Sequence, residues 1–106
     1  MRNVAIIYDA AVAKCSPEQF VAYLSVHRDV VSWSVPFKGL HVVKLNGRAN
    51  DFFEAVKKII GNKNIFLAVL DTPKTGGAMT AGFWDWFNAD EVTPALIESI
   101  RDGEKG

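Results

Sequence analysis

Two aspartates follow apolar segments, and a carboxylate in such a place can bind a metal ion or cap a turn. Asp9 ends the run Asn3–Asp9 (NVAIIYD), and Asp71 ends Asn64–Asp71 (NIFLAVLD). The topology derived below makes these segments antiparallel, so the two carboxylates lie at opposite rims and cannot share a metal within one chain. Two copies of Asp9 can still meet across a symmetric dimer and hold Mg²⁺. The alternative is that Asp9 caps its own loop.

Basic side chains are predicted to surround Asp9. We place the ends of strands one and three, and the starts of both helices, at one rim, which brings Lys14, Lys44 and Arg48 near Asp9. The free N–H groups of two helix starts also favour an anion there. This rim would suit a small anionic metabolite. In the simpler alternative, Asp9 only forms an ion pair with Lys14 or Arg48.

Tryptophans are the second group of candidate binding residues. Trp84 and Trp86 lie in the aromatic segment Phe83–Phe87, which could stack on bases or contact a protein partner. The alternative, which we favour, is that this segment packs over the open face of a small sheet. Trp33 lies on a predicted edge strand, so it either faces solvent or is buried in a dimer.

The two histidines and the single cysteine give weaker signals. His41 is predicted to be a half-exposed strand residue rather than a catalytic base, and His27 to favour the dipole at the end of a helix. Cys15 precedes a helix N-cap, a position that can lower the pKa of a thiol. One cysteine allows neither an intrachain disulfide nor a cysteine-built zinc site.

Hydrophobic periodicity and capping residues predict six core elements in the order β-α-β-β-α-β. The four strands are Asn3–Asp9, Val30–Val35, Leu40–Leu45 and Asn64–Asp71. Helix one follows the capping box of Ser16 and Gln19 and runs to about Arg28, and helix two, capped by Asn50, runs from Asp51 to about Ile60. A loop at residues 72–80, the aromatic segment and a helix from Thr93-Pro94 to about Arg101 complete the chain.

This order predicts an α+β fold of the ferredoxin-like kind, with a four-stranded antiparallel sheet. The expected strand order is four-one-three-two, with both helices on one face of the sheet. We expect a single domain over residues 1–106, with its core at residues 3–71 and a C-terminal extension, the aromatic segment and short helix, at residues 72–106.

Composition limits the classes of function. The 106 residues carry 12 basic and 12 acidic side chains, so the chain lacks the basic excess typical of proteins that hold a nucleic-acid backbone. Apolar runs are far shorter than the roughly 20 residues of a membrane span. We see no secretory leader, and we expect a cytoplasmic protein without a membrane partner.

The layout resembles a known group of small proteins. A strand ending in Tyr8-Asp9, Trp33 ahead of a hairpin, and Trp84-Asp85-Trp86 after the last strand are similar to the CRISPR-associated adaptor and ribonuclease-like proteins, and more closely to their SinR-like relatives. The resemblance implies a ferredoxin-like homodimer. It also implies that Asp9 faces its symmetry mate, where some members have magnesium-dependent nuclease activity and others hold DNA and a partner protein.

Three hypotheses follow. The first, which we favour, is a small dimeric binding or scaffold protein of the SinR-like kind that contacts nucleic acid or another protein. The second is an endonuclease acting on RNA or DNA, in which Asp9 from two subunits binds Mg²⁺ and activates water. The third is a protein that binds a small anionic metabolite through Lys14, Lys44 and Arg48.

Overall fold

Four strands and four helices make up the chain. A computed structural model describes residues 1–105, including the side chains of residues 1–98 and 100. The elements, in chain order, are β1 (Arg2–Tyr8), α1 (Pro17–Val26), β2 (Val30–Phe37), β3 (Leu40–Leu45), α2 (Ala49–Ile60), β4 (Ile65–Leu70), a 3₁₀ turn (Thr72–Lys74), α3 (Ala81–Asn88) and α4 (Pro94–Lys105).

The strands form one antiparallel sheet in the order β2-β3-β1-β4. β1 lies in the centre, where Arg2 to Ile7 pair with Leu45 to Leu40 of β3, and Asn3 to Tyr8 pair with Leu70 to Ile65 of β4. The predicted strand order and the ferredoxin-like α+β fold are therefore confirmed. β2 and β4 are the two edge strands.

α1 and α2 cover the first face of the sheet and enclose the larger core. Val4, Ile6 and Tyr8 point towards this face, because alternate residues of a strand face the same way. The buried residues that complete this core are Phe20, Leu24, Val43, Leu45, Ala49, Phe52, Val56 and Ile60. Ile59 of α2 is exposed and lies outside this core.

Local capping explains where α1 begins. The Gln19 backbone N–H donates to Ser16 Oγ at 3.1 Å, and the Ser16 N–H donates to Gln19 Oε1 at 2.8 Å. This reciprocal pair is the predicted capping box, and Pro17 occupies the first helical position, where a missing N–H costs nothing. α2 begins two residues earlier than predicted, since Arg48 and not Asn50 is its N-cap.

α3 and α4 cover part of the second face of the sheet. Phe83, Trp86 and Phe87 of α3 are buried there against Val42 of β3 and Ile100 of α4. Thr80 is the N-cap of α3, and its hydroxyl accepts from the Phe83 N–H at 3.1 Å. The aromatic segment therefore packs on the sheet, which is the alternative that the sequence analysis favoured.

Candidate functional site

Asp9 caps the loop that follows β1. Its Oδ1 accepts from the Ala11 N–H at 2.9 Å, and its Oδ2 accepts from Asn64 Nδ2 at 3.4 Å. This is an Asx turn, the ordinary use of an aspartate at the end of a strand. The described side chains include no ion pair with Asp9, so its predicted pairing with Lys14 or Arg48 is wrong.

The predicted basic rim does not form. β3 runs antiparallel to β1, so its end lies beside the start of β1 and not beside Asp9. The Lys14 N–H donates to Ile60 O at 2.8 Å, so Lys14 lies beside the C-terminal end of α2. Arg48 lies at the opposite end of β1, beside Arg2. The three cations of the metabolite hypothesis therefore do not converge on one site.

Lys44 is buried under α3 instead of facing solvent at a rim. Only 2% of it is exposed, and its Nζ donates to the carbonyls of Phe87 at 3.1 Å and Ala89 at 3.0 Å. An ammonium group at this point satisfies carbonyls at the C-terminus of α3 and complements the helix dipole. Burial lowers the pKa of Lys44, and the nearby Asp90 opposes that shift. Lys44 therefore acts as a helix cap.

A polar cavity of about 460 Å³ lies next to this cap. Its lining includes Asn3, Lys44, Thr72 and Asp90. Asn3 pairs with Lys44 across β1 and β3, and its Nδ2 donates to Thr72 Oγ1 at 2.9 Å and to Phe87 O at 3.0 Å. These hydrogen bonds join the sheet to α3 and to the 3₁₀ turn, so the polar groups here have a structural use.

The tryptophans differ in how much surface they offer a ligand. Trp86 has none, being fully buried, and its Nε1 donates to Ser32 Oγ at 2.7 Å. In this structure Trp86 therefore has no surface open to a ligand. Trp84 is half-buried against the rings of Phe83 and Phe87. Trp33, on the edge strand β2, is half-buried against the first core.

His41 and Cys15 also differ from their predictions. His41 is fully buried rather than half-exposed, with its ring stacked on Tyr8 at 5.5 Å and edge-on to Phe20 at 4.9 Å. Neither ring nitrogen has a hydrogen-bond partner in the described part of the chain. Burial lowers the pKa of His41 to about 4. Burial also raises the pKa of the Cys15 thiol, the opposite of the direction that a helix N-terminus would give.

An uncovered row of apolar side chains crosses the second face of the sheet, and the sequence analysis missed it. Register pairs Phe37 with Leu40, Leu40 with Ile7, and Ile7 with Phe66, so the row takes one residue from each strand. Exposure is 59% for Phe37, 45% for Ile7 and 63% for Phe66, while Leu40 is half-buried. α3 and α4 cover the other half of this face. We call these four residues the apolar row.

A groove of about 540 Å³ adjoins the Phe37 end of the apolar row. Apolar side chains from the sheet and from the start of α3 line it, namely Pro36, Phe37, Met79 and Phe83. A groove of this size and chemistry can take an apolar side chain of a bound molecule. The row and the groove share Phe37 and so form one connected apolar surface.

The described residues form neither a cluster of metal ligands nor a membrane-spanning helix. Within the described part of the chain, no three His, Cys, Asp or Glu side chains are placed to hold a metal ion. Among the helices of residues 1–105, none has the length and apolar character needed to cross a bilayer.

Comparisons with known proteins give no relative. The chain matches no protein-family model, no curated protein and no solved structure. Its resemblance to the SinR-like group thus stays a prediction from the sequence.

Proposed function

We propose that this chain is a homodimeric binding module of the SinR-like kind, which holds a protein partner on its apolar row. The supporting observation is the exposure of Phe37, Ile7 and Phe66 side by side on the sheet. Soluble proteins seldom leave contiguous apolar side chains uncovered unless they serve as a contact surface.

A protein partner fits this surface better than a nucleic acid does. The row presents no charged side chain, whereas nucleic-acid binding depends on contacts between basic residues and phosphates. Lys14, Lys57 and Lys58 line one shallow pocket together with Glu54, which offsets part of their charge through an ion pair with Lys57 at 2.7 Å. The zero net charge of the chain agrees with this choice.

The test uses purified protein and two measurements. Light scattering should give twice the chain mass of 11.7 kDa. Fluorescence of the apolar dye 8-anilinonaphthalene-1-sulfonate should increase on binding to the wild type and fall several-fold with Ile7→Lys or Phe37→Lys. Val26→Lys is the matched control, because Val26 is 81% exposed at the far end of α1 and lies outside the row. It should leave the dye signal unchanged.

Three results would overturn the proposal. A monomer mass at every concentration removes the dimer. An equal dye signal in Ile7→Lys and wild type removes the apolar row as a contact surface. Tight binding of labelled RNA or DNA, measured by fluorescence anisotropy at physiological salt, would replace the protein partner with a nucleic acid.

A further inference from the structure

We infer that two copies of this chain join through β4, antiparallel and centred on Leu67, to form one continuous eight-stranded sheet. This inference rests on the proposed homodimer and names its interface. Three features of β4 support it: the directions of its backbone hydrogen bonds, its lack of edge protection, and the charges at its two ends.

β4 presents unused backbone groups along its outer edge. The Asp9 N–H donates to Asn64 O at 3.1 Å, and Asp9 and Asn64 extend the register in which Tyr8 pairs with Ile65. Because hydrogen-bonded pairs alternate along an antiparallel ladder, residues 66, 68 and 70 bond to β1, and residues 65, 67 and 69 point their N–H and C=O groups outwards. Among residues 1–105, no strand pairs with that outer edge.

The opposite edge of the sheet is protected and β4 is not. β2 contains Pro36 and two register irregularities, which disrupt the backbone pattern that another strand would need. β4 has the sequence IFLAVL, with no charged residue and no proline, and its pairing with β1 is uninterrupted. An edge of this kind is a ready template for another strand.

One register satisfies all the outward groups. If Leu67 lies opposite Leu67 of a second copy, Ile65 lies opposite Val69 of that copy, and the reverse pair forms by symmetry. Each of these pairs exchanges two backbone hydrogen bonds, so every outward group of residues 65, 67 and 69 is bonded. A register centred on residue 66 or 68 leaves one of these three residues on each strand without a partner inside β4.

Charges at the two ends of β4 favour the same register. Lys63 precedes β4 and Asp71 follows it, and both are exposed. Lys63 and Asp71 lie outside β4, and Asn64 turns the chain at φ 52°. Centring the pair on Leu67 brings the end of β4 that precedes Asp71 beside the start of β4 of the second copy, so opposite charges lie at both ends of the paired strands. Asp71 now has only a 3.8 Å contact with its own Lys74, which leaves its carboxylate accessible.

The pairing also covers exposed side chains and joins the two apolar rows. Val69, 51% exposed, would lie beside Ile65 of the second copy. Phe66 would lie opposite Ala68 of that copy and diagonal to its Phe66, within reach of an aromatic ring. The two rows would then meet at the dimer axis and form one band across eight strands.

This dimer would keep the two Asp9 side chains apart. Asp9 lies beside Asn64 of its own chain. In the dimer, Asn64 would lie opposite Leu70 of the second copy, six residues along β4 from the second copy's own Asn64. Six residues along the strands separate the two carboxylates, roughly 20 Å at the rise of a β-strand. They could not hold one Mg²⁺ between them, so the interface argues against the endonuclease alternative.

Disulfide trapping tests the interface and its register. In a Cys15→Ser background, Phe66→Cys and Ala68→Cys proteins are mixed and exposed to oxidised glutathione. Directly opposite residues of a non-hydrogen-bonded pair lie close enough for a disulfide. We expect covalent dimers in the mixture and none in either protein alone. Val31→Cys, on the edge of β2, is the matched control, and mixing it with Phe66→Cys should give no cross-link.

Charge exchange is the second test. Lys63→Asp and Asp71→Lys should each weaken dimerisation at least several-fold in sedimentation equilibrium, and the protein carrying both changes should recover it. A dimer that gives no Phe66–Ala68 cross-link would overturn the β4 interface while the proposed function stands. Cross-linking of Phe66→Cys alone would indicate a different register and overturn the Leu67-centred pairing. A monomer throughout would overturn both proposals.

Discussion

His41 is an ionisable side chain that is fully buried in an apolar core. Its imidazole lies between Tyr8 and Phe20 under the α1–α2 layer, with neither nitrogen bonded in the described chain. Protonation would put a charge into an apolar site without a partner, which explains the depressed pKa. Leu40 and Val42 lie on the opposite face of β3 from His41, as alternation along a strand requires. Alternation does not tell whether helices cover both faces of the sheet, so the predicted half-exposure of His41 was wrong.

We predict that His41 makes the stability of the fold depend on pH. The pKa is 6.5 in the unfolded chain and about 4 in the folded one, so the unfolded state binds more protons between these values. Stability is complete above pH 6.5 and falls as the pH drops towards 4. At about 1.4 kcal/mol per pKa unit the loss is about 3 kcal/mol. Urea unfolding at several pH values measures it.

Two variants separate this effect from general acid denaturation. His41→Leu, which is similar in volume, should reduce the loss between pH 6.5 and 4. His27→Asn, which replaces the other histidine of the sequence and leaves the first core intact, is the comparison variant and should retain the loss. An unchanged pH profile in His41→Leu would show that other groups carry the dependence.

Asp9 is predicted to stabilise a turn rather than to catalyse. Asp9→Ala should lower the free energy of unfolding by about 1 kcal/mol, because the Ala11 N–H loses its acceptor. It should leave hydrolysis of labelled RNA and DNA with Mg²⁺ at the wild-type level. Asp85→Ala, an exposed aspartate of α3, is the control for both measurements. Cleavage by the wild type that disappears in Asp9→Ala would favour the endonuclease alternative.

At the scale of elements, the signals that proved reliable are local ones. The capping box correctly predicted where α1 begins, and β3 has its predicted bounds, Leu40–Leu45. Each of these predictions depends on a few neighbouring residues. The error over the basic rim concerned strand direction. Since β1 and β3 are antiparallel, Arg48 after β3 lies at the end of β1 remote from Asp9.

We predict that the capping box contributes measurably to stability. Ser16→Ala removes the hydroxyl that accepts from the Gln19 N–H and should cost about 1 kcal/mol of unfolding free energy. Ser25→Ala is the matched control on the same helix, because the Ser25 hydroxyl only bonds back to Ala22 O at the exposed C-terminal end. Chemical denaturation of both variants measures the difference, and equal costs would contradict a specific role for the cap.

At the scale of the whole molecule, the sheet lies between two apolar layers. The first core is buried under α1 and α2, and the second lies between β3 and the pair α3 and α4. Periodicity predicted a C-terminal extension attached to a core at residues 3–71. It could not show how much of the sheet the extension covers, since that depends on the path of residues 72–80, where glycines and threonines give no periodic signal.

We predict that both layers unfold together. Phe87→Ala in the second core should cost about 3–5 kcal/mol, as should Phe20→Ala in the first, because each removes a fully buried ring. Urea unfolding of the wild type should give one transition by circular dichroism and by tryptophan fluorescence, to which Trp84 and Trp86 of α3 contribute together with Trp33 of β2. Transitions at two different urea concentrations would mean that the C-terminal layer unfolds separately.

The contrast between the two edge strands limits how far assembly can go. A sheet that has joined at β4 would have β2 as its outer strand at both edges. Pro36 and two register irregularities in β2 disfavour the pairing of a further strand there. If two chains join at β4 as proposed, we expect growth to stop at two chains, because no β4 edge then remains free to extend a ribbon or fibril. A substitution that made β2 a regular strand would allow further chains to pair at that edge, and the dimer could then extend into a polymer.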